Sequence, residues 1–444
     1  MKRVLMIAPQ FPPDGNAGTH RVRLLAPRLA DNGWLPTVLT VDPRDYEPPL
    51  DDSLADLVPP GLDVVRVRAL PARTTRRFGI GDLGLRALPS LGRAASALLA
   101  ARRYDAVFIT VFPAYPALLG PWLARRHGVP YVIDYQDPWV SAWGRTVGGG
   151  SDGRVDLKSR VSRAVALQLE PRALRTVSAI TAVSTGTWDD ILARNPSLSA
   201  VPRLELPIGY DVADFDALHR SPHDRTRFFD PDDGLFHLCG IGTHPPLGME
   251  TLRALLAGAA LLSTRAPRLY ARLRIHFLGT TGRFSREVAP IVLPAARAAG
   301  VADIVSEVPW RLPYLDALDV QTRASALLLL GSSEPHYTAS RLFPSLLAAR
   351  PLLAAYHRGS TVVSILERAS AGAACPPPLH LVTYDDHARA EREAPAIARA
   401  LASLVERFDA PARPDAAWDL SAIADYSAAS LAARLAALLD EIAP

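Results

Sequence analysis

The chain has 444 residues, enough for two or three domains that each bury a core, with 49% hydrophobic and 21% charged residues. A formal net charge of +4 without any recognisable binding module argues against nucleic acid as a partner, and no apolar run approaches the ~18 residues of a membrane span. Cys239 and Cys375 lack metal-ligand spacing, which predicts free thiols and a cytoplasmic protein.

Arg3 to Ala8 is a short apolar run of the kind buried in a parallel sheet. Pro9 to Pro13 breaks it, and Gly15-Asn16-Ala17-Gly18 supplies a permissive backbone. Thr19 is placed to cap a helix reaching about Asp31, kinked or distorted by Pro27, and Thr37 to Val41 reads as the next strand. A glycine turn entering a helix leaves free N–H groups beside a positive dipole end, a place that favours phosphate or a sugar hydroxyl. The alternative is a plain turn of a doubly wound domain. The spacing is neither that of a dinucleotide loop nor that of a Walker loop.

Strands follow over 62–67, 105–110, 130–134, 179–183 and 203–208, with helical stretches between them. Gly148-Gly149-Gly150 marks a loop over 141–155. Between Arg66 and Arg103 the chain carries Arg66, Arg68, Arg73, Arg76, Arg77, Arg86, Arg93, Arg102 and Arg103 against Asp82 alone. Two readings stay open for that stretch: a surface for anionic lipid or a phosphorylated acceptor, or solvated arginines.

Residues 212–234, rich in Asp, Pro, Arg and His, interrupt the rhythm and read as an interdomain connection. A second alternation has strands near 236–241, 272–279, 303–308, 325–330 and 351–356. Its helices lie near 247–265, 285–299, 312–323, 339–349 and 360–369, with two more over 386–407 and 420–441. The pattern predicts an α/β chain of two Rossmann-like, doubly wound parallel-sheet domains facing a cleft. The expected division is 1–211, a linker over 212–234, 235–425, and a helix over 426–444 that crosses back to the first domain.

The ordered motifs resemble the GT-B glycosyltransferases, and more narrowly the family-four retaining enzymes. The resemblance rests on Ala8-Pro9-Gln10-Phe11-Pro12-Pro13 through Gly18 and Arg21, Asp134-Tyr135-Gln136-Asp137-Pro138-Trp139, and Leu169-Glu170-Pro171 through Ala182-Val183-Ser184. It continues in Pro207-Ile208-Gly209-Tyr210-Asp211, Gly240-Ile241-Gly242-Thr243, and Ser340-Arg341-Leu342-Phe343 through Ala349-Arg350-Pro351. It implies transfer of a sugar from a nucleoside-diphosphate sugar, with no further cofactor, to a small-molecule or lipid-linked acceptor, and allows peripheral membrane contact. The family's donor-ribose glutamate falls on Pro344 and its usual basic pair is absent, which motivates a catalytically degenerate binding protein as one alternative; another two-domain sugar-nucleotide enzyme, such as an epimerase, is a second.

The resemblance places the donor at Gly242, Thr243, His244, Glu334, Ser340 and Arg341. Arg341 would meet the diphosphate, where charge builds as the sugar leaves; a surface arginine is the alternative. Asp137 and Asp134, at the end of a strand, are candidates to orient the acceptor hydroxyl or donor sugar, against helix capping or a bond to Trp139. Gly15, Asn16, Gly18, His20 and Arg21 would form the acceptor-side wall of the cleft. Asp214-Phe215-Asp216 and Asp230-Pro231-Asp232 match a metal-binding DxD, but their place in the linker reads as solvated acids, and no essential metal is expected.

Overall fold

A computed structural model describes residues 1–47, 49–140, 157–220, 227–244, 248–332, 340–385, 389–409 and 416–443. The chain divides into two units, one of Met1–Gly209 with Tyr426–Pro444 and the other of Tyr210–Asp425.

The first unit carries strands β1 (Lys2–Ile7), β2 (Trp34–Val41), β3 (Asp63–Val67) and β4 (Ala106–Val111), then β5 (Tyr131–Tyr135), β6 (Ala179–Ala182) and β7 (Arg203–Glu205). Its helices are α1 (Thr19–Leu29), α2 (Asp52–Ala55), α3 (Ala72–Thr75) and α4 (Leu83–Ala101), followed by α5 (Leu119–His127), α6 (Leu157–Leu174) and α7 (Thr185–Arg194). The sheet is seven-stranded and parallel throughout, in the order β3-β2-β1-β4-β5-β6-β7. Strands β1 and β4 are apolar on both faces because helices cover both, as an all-parallel sheet requires. The order reverses at β1, so the loops leaving β1 and β4 flank the switch point.

The second unit opens with α8 (Ala213–Arg220), β8 (Phe236–Ile241), α9 (Met249–Arg265) and α10 (Pro267–Arg272). Then come β9 (Leu273–Leu278), α11 (Val292–Ala298), β10 (Val305–Val308), α12 (Tyr314–Arg323) and β11 (Ala326–Leu330). It closes with α13 (Leu342–Leu347), β12 (Leu352–His357), α14 (Thr361–Ala371), β13 (Leu379–Tyr384) and α15 (Ala394–Glu406). The six-stranded sheet runs β10-β9-β8-β11-β12-β13, again parallel throughout. The last helix, α16 (Ala428–Ile442), returns to the first unit, where Leu431, Leu435 and Leu439 share a buried cluster with Val22, Leu25 and Leu29 of α1.

Several elements depart from the sequence reading. The stretch expected as a connection contains α8, and Asp214 on it is buried, accepting from the Tyr314 hydroxyl at 2.7 Å. It is not a solvated acid, because α12 supplies its partner; Asp216, Asp230 and Asp232 are exposed as expected. Strand β13 was not anticipated, and the expected helix over 285–299 shortens to α11. Gly18, not Thr19, holds the cap position of α1, and the helix runs through Pro27 without interruption. The loop read over 141–155 falls outside the described residues.

The arginine-rich window is less unbalanced in space than in sequence. Arg68 pairs with Asp45 at 2.7 Å, Arg102 with Asp63 at 3.1 Å, Arg103 with Asp105 at 3.3 Å, and Arg76 with Glu47. Arg86 is buried and donates to the carbonyls of Leu70 and Asp45. Among the described residues no helix is long and apolar enough to cross a membrane.

A polar chain crosses the second sheet. His237 Nε2 lies 3.0 Å from Asp233, His237 Nδ1 lies 2.9 Å from His276 Nε2, and His276 Nδ1 lies 2.7 Å from the Ser306 hydroxyl. Phe229 stacks on both rings, with centroids 4.6 and 5.1 Å away.

Candidate functional site

In the second unit, the predicted donor residues gather at the carboxyl end of the sheet. A pocket there is lined by Gly240, Gly242, His244, Phe277, Thr280 and Arg341, with Leu328 and Leu330 beneath. Gly242 follows β8 with φ +98°, a conformation that side chains rarely adopt, and its N–H donates to Leu278 O at 2.8 Å. The next link is His244 N–H to Thr280 O, also 2.8 Å, so the loops after β8 and β9 are laced together. Gly282 belongs to the same lacing: a Cβ there would sit 2.6 Å from Thr243 Oγ1.

Arg341 occupies the cap position of α13 and reaches back over this turn. One terminal nitrogen donates to Leu330 O at 2.7 Å and the other to Thr243 O at 3.3 Å. Its buried Nε has no hydrogen-bond partner. His244 is held down to about 4 by burial, then by the Arg341 charge, so its ring is neutral at physiological pH, and its buried Nε2 also lacks a partner. A fixed cation, an unpartnered donor and a neutral imidazole therefore surround one pocket. Ser340 is exposed beside Arg341, while Glu334 lies outside the described residues. Pro344, at the family's glutamate position, is built into α13 and has no side-chain acceptor to offer.

The support beneath this pocket was not read from the sequence. Glu307, on β10, accepts from the Thr280 hydroxyl and from the backbone N–H groups of Ile291, Val292 and Leu293. It caps α11 and fixes Thr280, whose carbonyl in turn holds His244. Only a contact map links residue 307 to residue 244; no local motif does.

In the first unit, the expected cleft-loop residues divide. Arg21 does not face a ligand as a free cation: it is buried, with Nε donating to Asp134 Oδ2 at 3.0 Å and Nη1 donating to Pro207 O at 2.8 Å. Asp134 lies within β5 rather than after it, fully buried, and accepts from Thr181 Oγ1 at 2.7 Å as well. Burial pushes its carboxyl upward while Arg21 and Thr181 oppose the shift. Both oxygens are engaged, which corrects the expectation of a reacting carboxylate and makes Asp134 a structural partner of Arg21.

The free N–H groups expected at the start of α1 are likewise used. Thr19, His20 and Arg21 donate to the carbonyls of Asn16, Ala17 and Gly18. Asn16 is tied to Asp14 through its side chain at 2.6 Å, and His20 shares hydrogen-bond contacts with Arg23. Gly15 is buried in the turn. The loop is anchored by Tyr46, whose hydroxyl accepts from Phe11 N–H and contacts Thr40 and Pro9 O.

Gly18 has another reason to be glycine. Its φ of −58° suits any residue, yet a Cβ would lie 2.7 Å from Phe112 Cδ1, 3.0 Å from Gln10 Oε1 and 3.3 Å from Gln136 Oε1. Asp137, next along from Gln136, is exposed at the surface, and burial by its surroundings raises its pKa.

Residues 16–206 match the family model of the glycosyl transferase 4-like domain. No curated protein matches in sequence. Among solved structures, an α,α-trehalose-phosphate synthase (UDP-forming) from Burkholderia vietnamiensis is similar over 100% of both chains, with a TM-score of 0.58 and 10% identity. A glycosyltransferase from Rickettsia africae matches with a TM-score of 0.51 and 10% identity, covering 99% of this chain and 94% of its own. A UDP-GlcNAc 2-epimerase from Methanocaldococcus jannaschii gives 0.51 and 11%, covering 99% and 100%. Identities this low establish likeness of fold. Residues 16–206, under half of the chain, resemble the glycosyl transferase 4-like domain, and the two parallel-sheet units have the GT-B fold of these structures.

Proposed function

We propose that the protein moves a sugar from a nucleoside-diphosphate sugar to a hydroxyl acceptor, with retention at the anomeric carbon. Leaving-group charge is met by Arg341, which lies beside the turn of Gly242 to His244. The observation that carries this reading is the unpartnered Arg341 Nε above a glycine turn with φ +98°. A phosphate oxygen is the partner that such a donor lacks, and a charge-assisted bond to it strengthens as the leaving group departs. His244, kept neutral, adds a hydrogen-bonding group without adding charge. Asp137 is the residue we assign to the acceptor hydroxyl. The UDP-forming and UDP-sugar chemistry in the names of the similar structures agrees with a nucleotide-sugar donor.

Calorimetry with UDP-, GDP- and ADP-sugars tests this directly. At least one should bind, and Arg341→Ala should weaken it by about 1.5–3 kcal/mol. Absence of binding to every nucleotide sugar would overturn the proposal. Conversion of the bound donor to its epimer, without transfer or hydrolysis, would favour the epimerase reading instead.

A further inference from the structure

The polar chain across the second sheet has a direction that its ends impose. The Asp233 carboxylate, which also accepts from Leu235 N–H at 2.8 Å, offers His237 Nε2 an acceptor and no proton, so His237 Nε2 carries hydrogen and donates. In the neutral ring Nδ1 is then bare and accepts from His276 Nε2–H, 2.9 Å away. His276 Nδ1 is bare in turn and accepts from the Ser306 hydroxyl at 2.7 Å. Every nitrogen of these two buried rings is used, and Phe229 stacks across the pair.

Such a chain takes up one proton without breaking. A proton bound at His276 Nδ1, with transfer of the Nε2 proton to His237 Nδ1, leaves His276 neutral in its other tautomer and puts the charge on His237, against Asp233. Ser306 turns from donor to acceptor, and all three links survive. A second proton has no such route. Both facing nitrogens would then carry hydrogen across the 2.9 Å gap, and two cations would sit side by side. Arg274 is positive and adds to the repulsion, while Cys239, opposite His276 in the sheet register, is a thiol that burial keeps protonated. Among the described residues, Asp233 is the acid that faces them.

We propose that His237 and His276 form a proton-operated latch: the first proton reverses the hydrogen bonds of the chain, and the second parts the rings and frees residues 228–235, which carry Phe229 and Asp233. Phe229 covers both rings, with centroids 4.6 and 5.1 Å away, so it cannot stay stacked on both once they separate. Asp233 reaches the pair from the same stretch, which leads directly into β8, so one event acts on two of its attachments. Arg227, paired with Asp316 of α12, holds the other end and limits the movement. The latch stands apart from the transferase reading, since it lies near the start of β8 and the donor pocket at its far end.

Nuclear magnetic resonance on the full chain with isotope-labelled histidine tests this, the two rings being assigned with His237→Gln and His276→Gln. At about pH 8, above the ordinary histidine range, His276 should be the Nε2–H tautomer. On acidification it should become the Nδ1–H tautomer as the first proton enters. Contacts between the Phe229 ring and both imidazoles should persist through that uptake and vanish at the second, with the β11 amides still protected from exchange. His276→Gln, which leaves one titrating ring, should keep Phe229 in place throughout, and His237→Gln gives the same readout if that variant fails to fold. A His276 that holds one tautomer through the first uptake, loss of protection in β11 together with the Phe229 contacts, or Phe229 contacts that ignore pH would overturn the proposal. Nucleotide-sugar binding enters none of these outcomes, so the latch and the transferase reading fail separately.

Discussion

Arg21 Nε donates to Asp134 Oδ2 at 3.0 Å, and neither side chain reaches solvent. Removing one partner leaves a buried charge uncompensated, a loss of about 3–5 kcal/mol. Asp134→Ala should therefore lower the urea midpoint markedly. The double replacement Arg21→Met with Asp134→Leu should recover much of that loss, since no charge then remains buried. Equal destabilisation by the single and double variants would contradict the pairing.

Glu307→Ala removes the acceptor for three backbone N–H groups and for Thr280. The expected cost is about 1–2 kcal/mol in chemical denaturation, as for a lost helix cap. Nucleotide-sugar affinity should fall as well, through Thr280 and His244. Glu307→Gln, which keeps an acceptor oxygen, should recover part of both.

Ala349 sits at φ +51°, in the left-handed region that favours glycine. Ala349→Gly relieves left-handed strain of about 1–2 kcal/mol and gives back part through the freer unfolded chain. A net gain of about 0.5–1 kcal/mol should appear as a higher denaturation midpoint.

His276 is pushed down to about 4 by burial, aided by His237 beside it, while an unfolded histidine titrates near 6.5. Between those values the unfolded chain binds more protons, so stability rises with pH there. It is full above about pH 6.5 and falls as pH drops toward 4, where the folded ring also charges. Asp233, His237, Ser306 and Arg274 are the polar neighbours that the added charge would meet. A pH series of urea melts should show the decline, on the order of a few kcal/mol shared with His244, and His276→Gln should flatten it.

Tyr46→Phe deletes the hydroxyl shared by Phe11 N–H, Pro9 O and Thr40. A loss of about 1–3 kcal/mol is expected, because buried backbone groups lose their partner.

How much was legible depended on whether the signal was local. β8 was read at its observed bounds because Phe236–Ile241 is a short, mostly apolar run, broken only by His237, in a central strand. β13 was missed because it lies at the sheet edge, follows Pro376-Pro377-Pro378, and is largely half-buried. α8 was hidden by an acidic composition that makes sense once Tyr314 is placed against Asp214. At the site, Gly242 and Arg341 sit in motifs and were found. Asp134 and Arg21 looked reactive because charge usually is; only their mutual burial shows otherwise.

Helix α16 has a consequence for synthesis. Residues 210–425 are one uninterrupted stretch, so the second unit is complete on the ribosome while the first still awaits its final helix. Until Leu431, Leu435 and Leu439 emerge, Val22, Leu25 and Leu29 have no covering partner from that helix. In a chain stalled near residue 425, the apolar face of α1 would lack the cover that α16 gives it.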